Sequence, residues 1–148
     1  MRLTTYTDYT LRTLIYLGIQ PARLVTIADI AEAYRISPNH LMKVVHQLAV
    51  AGDVTTLRGQ HGGVRLARAA AAINIGAVVR RTEPDMALAP CFCEGGSCTI
   101  QASCVLAGAL SEALAGFLAV LDRYTLADLV APRAPLVRLL GLEPAEPD

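Results

Sequence analysis

All four cysteines of the chain, Cys91, Cys93, Cys98 and Cys104, fall within residues 89–106, spaced C-x-C-x4-C-x5-C. Thiolates gathered on one glycine-containing loop can converge on a soft metal without help from the rest of a fold. The spacing is not the paired C-x2-C of common zinc sites. Three thiols separated by four and five residues, on a loop that leads into a helix, suit an iron–sulfur cluster held by three corners. Zinc, a thiol redox switch and inert cysteines are the alternatives this chemistry leaves open.

A second group of residues suits DNA. Ser37 and Pro38 are expected to open a helix, serine as N-cap and proline at the first helical position, where its missing N–H has no helical partner. Leu41, Val44, Val45 and Leu48 form the buried stripe of that helix, and Gly52 stops it. Its N-terminal residues Ser37, Pro38, Asn39, His40 and Lys43 are placed to meet base edges in a major groove. Arg58, Gln60, His61 and Arg65 lie on or beside a glycine-containing tip between two short β-rich runs, 54–57 and 63–66, which reads as a hairpin. Gly59, Gly62 and Gly63 at that tip lack the Lys-Ser/Thr ending of a phosphate loop. No nucleophile–base pair is visible, so an enzyme is not expected.

Two helices precede the reader. The first is expected from Thr7 or Asp8 to Pro21, with Leu11, Leu14, Ile15 and Gly18 on one face. The second opens with Thr26 and Asp29 as a capping box and turns Ile27, Ile30 and Ala31 inward. Helix, helix, helix and basic hairpin is the order of a winged helix-turn-helix. Residues 67–72 read as a connector, and Asn74 caps a fourth helix that Pro84 closes. After the cysteines, Leu106, Leu110, Leu114, Phe117, Leu118 and Leu121 make one apolar face on a helix over 105–122, about 27 Å long at 1.5 Å per residue. A second copy of the chain is the expected partner for that face; a core helix of the monomer is the alternative. Thr125 and Asp128 form another capping box, and Pro132 and Pro135 are expected to break the chain.

The fold class is therefore mainly α with a small β-hairpin wing. Its parts are a winged helix-turn-helix DNA-binding domain over 1–82, a cluster-binding loop over 83–104, a dimerisation helix and C-terminal segment over 105–142, and an acidic, disordered tail over 143–148. The formal net charge is zero, but it is divided. Residues 1–81 carry ten Lys/Arg and four Asp/Glu, and residues 82–148 carry three and nine. A basic first part joined to an acidic second part suits a DNA-binding module beside a part that stays off DNA. No signal peptide or membrane-length apolar run is present in this sequence, so a cytoplasmic protein is expected, where clustered cysteines point to metal or redox chemistry.

Four segments together carry a family resemblance: LTTYTDYTLR at 3–12, SPNHLMK at 37–43, RGQHGGVRL at 58–66 and YTLADLV at 124–130. The chain resembles the NsrR family of nitric-oxide-sensing repressors, which belongs with the iron–sulfur-cluster regulator IscR in one superfamily of dimeric winged-helix regulators. The match runs to about residue 140. The resemblance implies a cluster, 4Fe–4S ahead of 2Fe–2S, bound by Cys93, Cys98 and Cys104, with Cys91 outside the pattern. IscR-like members use a histidine three residues after the last cysteine; here that position is Ala107. NsrR-like members take an aspartate from the first helix of the other subunit, a position matched by Asp8. Asp8 is thus the implied fourth ligand and Cys91 its competitor, although an acidic residue in a first helical turn is also favoured by the helix dipole alone. His40, His46 and His61 lie in the DNA reader and are not expected as ligands. The implied function is a homodimeric repressor on a palindromic operator that releases DNA when nitric oxide nitrosylates the cluster. The alternative is an iron–sulfur, iron-status or redox-responsive regulator of the same fold.

Overall fold

Helix α1, Thr5–Ile19, is the axis on which the other elements pack. Thr4 caps it: the Thr7 N–H donates to Thr4 Oγ1 at 3.2 Å. The computed structural model describes residues 2–142, so the tail expected at 143–148 lies outside the described residues. α1 begins at Thr5, not at Thr7 or Asp8, because Thr4 takes the cap. Its buried surface also extends well past the expected stripe. Leu14 and Leu17 are fully buried beside Thr7, Thr10 and Thr13, whereas Leu11, Ile15 and Gly18 are half-buried. The threonines can be buried because each hydroxyl is bonded. Thr10 and Thr13 donate to the carbonyls of Tyr6 and Tyr9 at 2.9 and 2.8 Å, and Thr7 donates to Thr82 Oγ1 at 2.9 Å. A hydrogen bond made inside offsets the desolvation cost of burying a hydroxyl.

Helix α2, Ile27–Tyr34, opens with the capping box expected of Thr26 and Asp29. It ends at Arg35, whose left-handed backbone (φ 55°) lets the Ile36 N–H reach the Ala31 carbonyl at 3.0 Å. That closing motif turns the chain sharply into α3, Pro38–Val50. Ser37 holds the N-cap position but makes no side-chain cap bond; its carbonyl instead accepts from His40 and Leu41 at 3.1 and 3.2 Å. Leu41, Val44, Val45 and Leu48 are buried as expected. Gly52, at φ 76°, releases the chain into β1, Val54–Leu57, which pairs antiparallel with β2, Gly63–Leu66. Val25 adds a bridge to Val64, with N–H···O bonds of 3.0 and 2.8 Å, and so ties the root of the wing to the start of α2.

A 3₁₀ turn, Ala70–Ala72, leads to α4, Ile75–Thr82, capped by Asn74, whose Oδ1 accepts from Ala77 N–H at 2.9 Å. The cysteine loop follows. α5, Val105–Leu121, then runs outward and α6, Leu126–Val130, returns to the core. Leu126 is fully buried in the cluster that holds Leu14, Leu17 and Ile73. Its N–H donates to the Ile73 carbonyl at 2.8 Å, and Ile75 N–H donates to Tyr124 at 2.9 Å. Helix α7, Arg133–Leu139, corrects the expectation that Pro135 breaks the chain. Pro135 sits in the first turn of α7, where no helical acceptor waits for its missing N–H.

One buried carboxylate went unread in the sequence. Asp53, fully buried in the turn between α3 and β1, is bonded by Arg68 from beyond β2 and by Arg81 from α4. Three elements that meet at the back of the wing are thereby held to one point. Among the described residues no buried side-chain polar atom lacks a partner. No helix there is long and apolar enough to cross a membrane.

Candidate nucleic-acid interface and metal centre

The residues expected to meet DNA are all accessible. Ser37, Pro38, Asn39, His40 and Lys43 are exposed along the first turns of α3, and Arg58, Gln60, His61 and Arg65 are exposed on the hairpin. Because the Ser37 carbonyl closes the turn, its hydroxyl is not engaged by the helix end. The tip of the wing is a tight loop in which the Gly62 N–H donates to the Gly59 carbonyl at 3.0 Å, and a Cβ at Gly62 would collide with the Leu57 carbonyl. Tight chain reversal is therefore the reason for glycine there. Met42, half-exposed on the outer side of α3, joins this surface without having been singled out.

The cysteine loop is built from short turns. A 3₁₀ turn over Pro90–Phe92 and another over Gln101–Ser103 flank Gly95, at φ 76°. The Gly96 N–H donates to the Cys93 carbonyl at 2.9 Å, and Gln101 N–H to the Cys98 carbonyl at 3.0 Å. Cys93 and Cys98 are exposed, Cys91 and Cys104 half-buried, and all four thiols are free. Cys104 stands at the N-cap position of α5 and makes no side-chain cap bond. Among the described residues no three or more His, Cys, Asp or Glu side chains are grouped to hold a metal. Within the single chain, then, Cys93, Cys98 and Cys104 are not brought into one group. The donor chemistry nevertheless fits a thiophilic iron group, since the thiols are unpaired, accessible and carried on one short segment.

Asp8 lies in the first turn of α1, its side chain 43% exposed, and pairs with Arg12 one turn on at 2.9 Å. Any metal role for Asp8 requires that this pair open, and half-exposure makes that cheap, since such surface pairs are worth about 0–1 kcal/mol. The root of the cysteine loop is tied to the same end of α1. Glu83 Oε1 accepts from the Thr4 N–H at 2.8 Å and from its hydroxyl at 3.1 Å. Arg12 also lies over Tyr34, its guanidinium carbon 5.7 Å from the ring centroid. Burial pushes the Tyr34 phenol up to about 12, with Arg12 opposing, so the ring is neutral at physiological pH.

The far end of α5 is anchored on α4. Arg80 forks onto Asp122 at 2.5 and 2.7 Å, and Asn74 Nδ2 donates to the Asp122 carbonyl at 2.7 Å. A side chain at Gly76 would collide with the Asp122 carboxylate. Between its ends α5 buries none of its seventeen residues; Val105 and Leu106 are 86% and 64% exposed.

A family model described as Rrf2, iron-dependent transcriptional regulator, matches residues 3–132. The chain belongs to the Rrf2 family. The matched span runs from the residue before the α1 cap to the start of α7, so it takes in the reader, the cysteine loop and α5. Among Rrf2 relatives, the HTH-type transcriptional regulator NsrR of Bacillus subtilis (strain 168) is 48% identical over 145 residues, covering 97% of this chain and 99% of that protein. The regulator of the same name from Geobacillus kaustophilus (strain HTA426) is 49% identical over 142 residues, 95% of this chain and 97% of that one. Among solved structures, T. potens IscR superposes with a TM-score of 0.72 at 24% identity, over 89% of this chain and 88% of that one. Oxidized Staphylococcus aureus CymR superposes at 0.66 with 26% identity, over 87% and 95%. The chain is thus a winged-helix transcriptional regulator of the Rrf2/NsrR type, and not an enzyme.

Proposed function

We propose that this regulator is a homodimeric repressor that binds a palindromic operator and senses nitric oxide through an iron–sulfur cluster. Cys93, Cys98 and Cys104 of one subunit hold the cluster, with Asp8 supplied across the interface by the other. The observation that carries this reading is a free-thiol loop of C-x4-C-x5-C spacing, set between a complete winged helix-turn-helix and an uncovered apolar helix. The likeness of nearly half the residues to proteins named NsrR supports the signal. A 4Fe–4S form is preferred to 2Fe–2S.

The uncovered helix supplies the dimer. Leu106, Leu110, Leu114, Phe117, Leu118 and Leu121 are exposed or half-buried in the single chain. Covering such side chains yields about 1.5–3 kcal/mol each when burial is complete. A second copy related by a two-fold axis presents the same face and brings its own recognition helix into play. The two helices then grip half-sites about one DNA turn apart.

When bound, a cluster held by Cys93, Cys98, Cys104 and the partner's Asp8 would supply iron that reacts with nitric oxide, and Asp8, a hard carboxylate on a soft group, would be the ligand most easily lost. Everything else is done by the chain. Asp8, freed, falls back on Arg12; α1 loses its tie to the partner's loop; and the spacing of the two readers is no longer fixed. Specific affinity falls because half-sites demand that spacing.

The deciding experiment measures binding of anaerobically purified, cluster-loaded protein to a palindromic promoter fragment before and after stoichiometric nitric oxide. Tight binding that collapses is the expected result; binding indifferent to nitric oxide overturns the signal. The family model's description as iron-dependent favours a second reading, a regulator of iron status on the same fold. Ala107, where IscR-like members carry a histidine ligand, counts against a close IscR counterpart.

A further inference from the structure

Beside Asp8 stands Tyr9, half-buried at the edge of the core. Its ring centroid lies 6.2 Å from that of His40, the planes inclined by 34°. Rings interact over about 4.5–7 Å, so this is a packing contact. His40 is the third residue of α3, on its exposed first turn. Arg12, the present partner of Asp8, makes a parallel contact to the other reader helix by lying over Tyr34 at the end of α2. The interior packing of α1 on α3, through Leu14, Leu17 and Leu41, is fully buried. A small rotation of the first turns of α1 would leave that interior in place and alter the contact at its rim first.

We propose that Tyr9 is a positioning residue that hands the state of Asp8 to the recognition helix through the ring of His40. The proposal rests on the sensor reading above. In it, His40 acts through its packing on Tyr9, and the pose of the first turn of α3 follows the pose of the Asp8 turn.

Two measurements test it. Ring protons of His40 sense the neighbouring Tyr9 ring and are read by NMR in the cluster-free protein, where only His40, His46 and His61 need assignment. Tyr9→Leu should move the His40 resonances alone and Tyr9→Phe should nearly preserve them; His40 signals unmoved by Tyr9→Leu overturn the contact. The second measurement is the ratio of operator affinities between loaded and cluster-free dimers. Tyr9→Leu should shrink it at least fivefold with the visible absorption of the loaded protein unchanged, while Tyr9→Phe keeps it. His40→Ala, which leaves α1 intact, should shrink it comparably, and the double variant no further. A wild-type ratio retained in both single variants overturns the role of Tyr9 alone. A ratio near one in the wild type overturns the sensor reading and the role of Tyr9 with it, whatever the NMR shows.

Discussion

Cys98 is the residue whose loss should be the most telling. It is exposed and free, with no structural bond to forfeit, so Cys98→Ala should fold as a colourless dimer without tight specific DNA binding. Normal operator binding by that variant would sink the cluster model. Asp8→Ala should still load but answer nitric oxide at a different rate; unchanged stopped-flow kinetics would transfer the fourth-ligand role to Cys91. Asp53 makes a different kind of prediction. Its carboxylate is fully buried, whereas Arg68 and Arg81 keep 43% and 37% of their side-chain surface in water. Removing the acid leaves two arginines that can hydrate; removing both arginines leaves a buried unpaired charge. Asp53→Ala should therefore cost about 2 kcal/mol and the double arginine variant about 4 kcal/mol, by urea unfolding. The cysteines were legible in the sequence because spacing on one loop is local information. The Asp53 cluster was not, because its members are 15 and 28 residues apart and only the fold brings them together.

Elements with local causes were read well, and those with tertiary causes less so. The Thr26–Asp29 box stands as expected, and at 125–128 the Asp128 carboxylate accepts both the N–H and the hydroxyl of Thr125 at 2.7 Å. The stripe of α3 and the two hairpin strands also follow from period and turn chemistry. The threonine face of α1 escaped notice because a periodicity reading treats threonine as polar, while here its hydroxyls are answered by carbonyls and by the Thr82 hydroxyl of α4. Helix α5 was legible as a helix with one apolar face whose expected cover is a second copy; among the described residues none of its seventeen is buried. Leu114→Glu, in the middle of that face, should shift the protein toward monomer in sedimentation while leaving helix content unchanged. The base of α5 should also respond to acid. The hydrogen bond from Arg80 holds the Asp122 carboxyl below its ordinary value of 3.8, and the Thr125 N–H and hydroxyl do the same for Asp128. A depressed carboxyl contributes stability that is present above the unfolded value and lost as pH falls through the folded one. Thermal midpoints should thus be flat down to about pH 4 and fall below it, less so in Asp122→Asn.

On the scale of the whole molecule, the division of charge sets how the regulator meets DNA. The basic half carries Lys43, Arg58 and Arg65 on the reader and wing, so operator affinity should fall steeply with salt. Arg58→Ala should reduce the slope of log K against log salt by about one if it neutralises one phosphate. The return of α6 has a consequence of another order. With Leu126 seated among Leu14, Leu17 and Ile73, and Asp122 forked onto Arg80, the chain that leaves the reader at α4 comes back to it. The thiol loop and the long helix are therefore not an appendage on a tether but an arc welded to the reader at both feet. Displacement of an arc pinned at two points is not spent in free swinging; it is divided between the feet as torque on the body that carries them. A load placed on the crown of such an arch is shared by both of its footings.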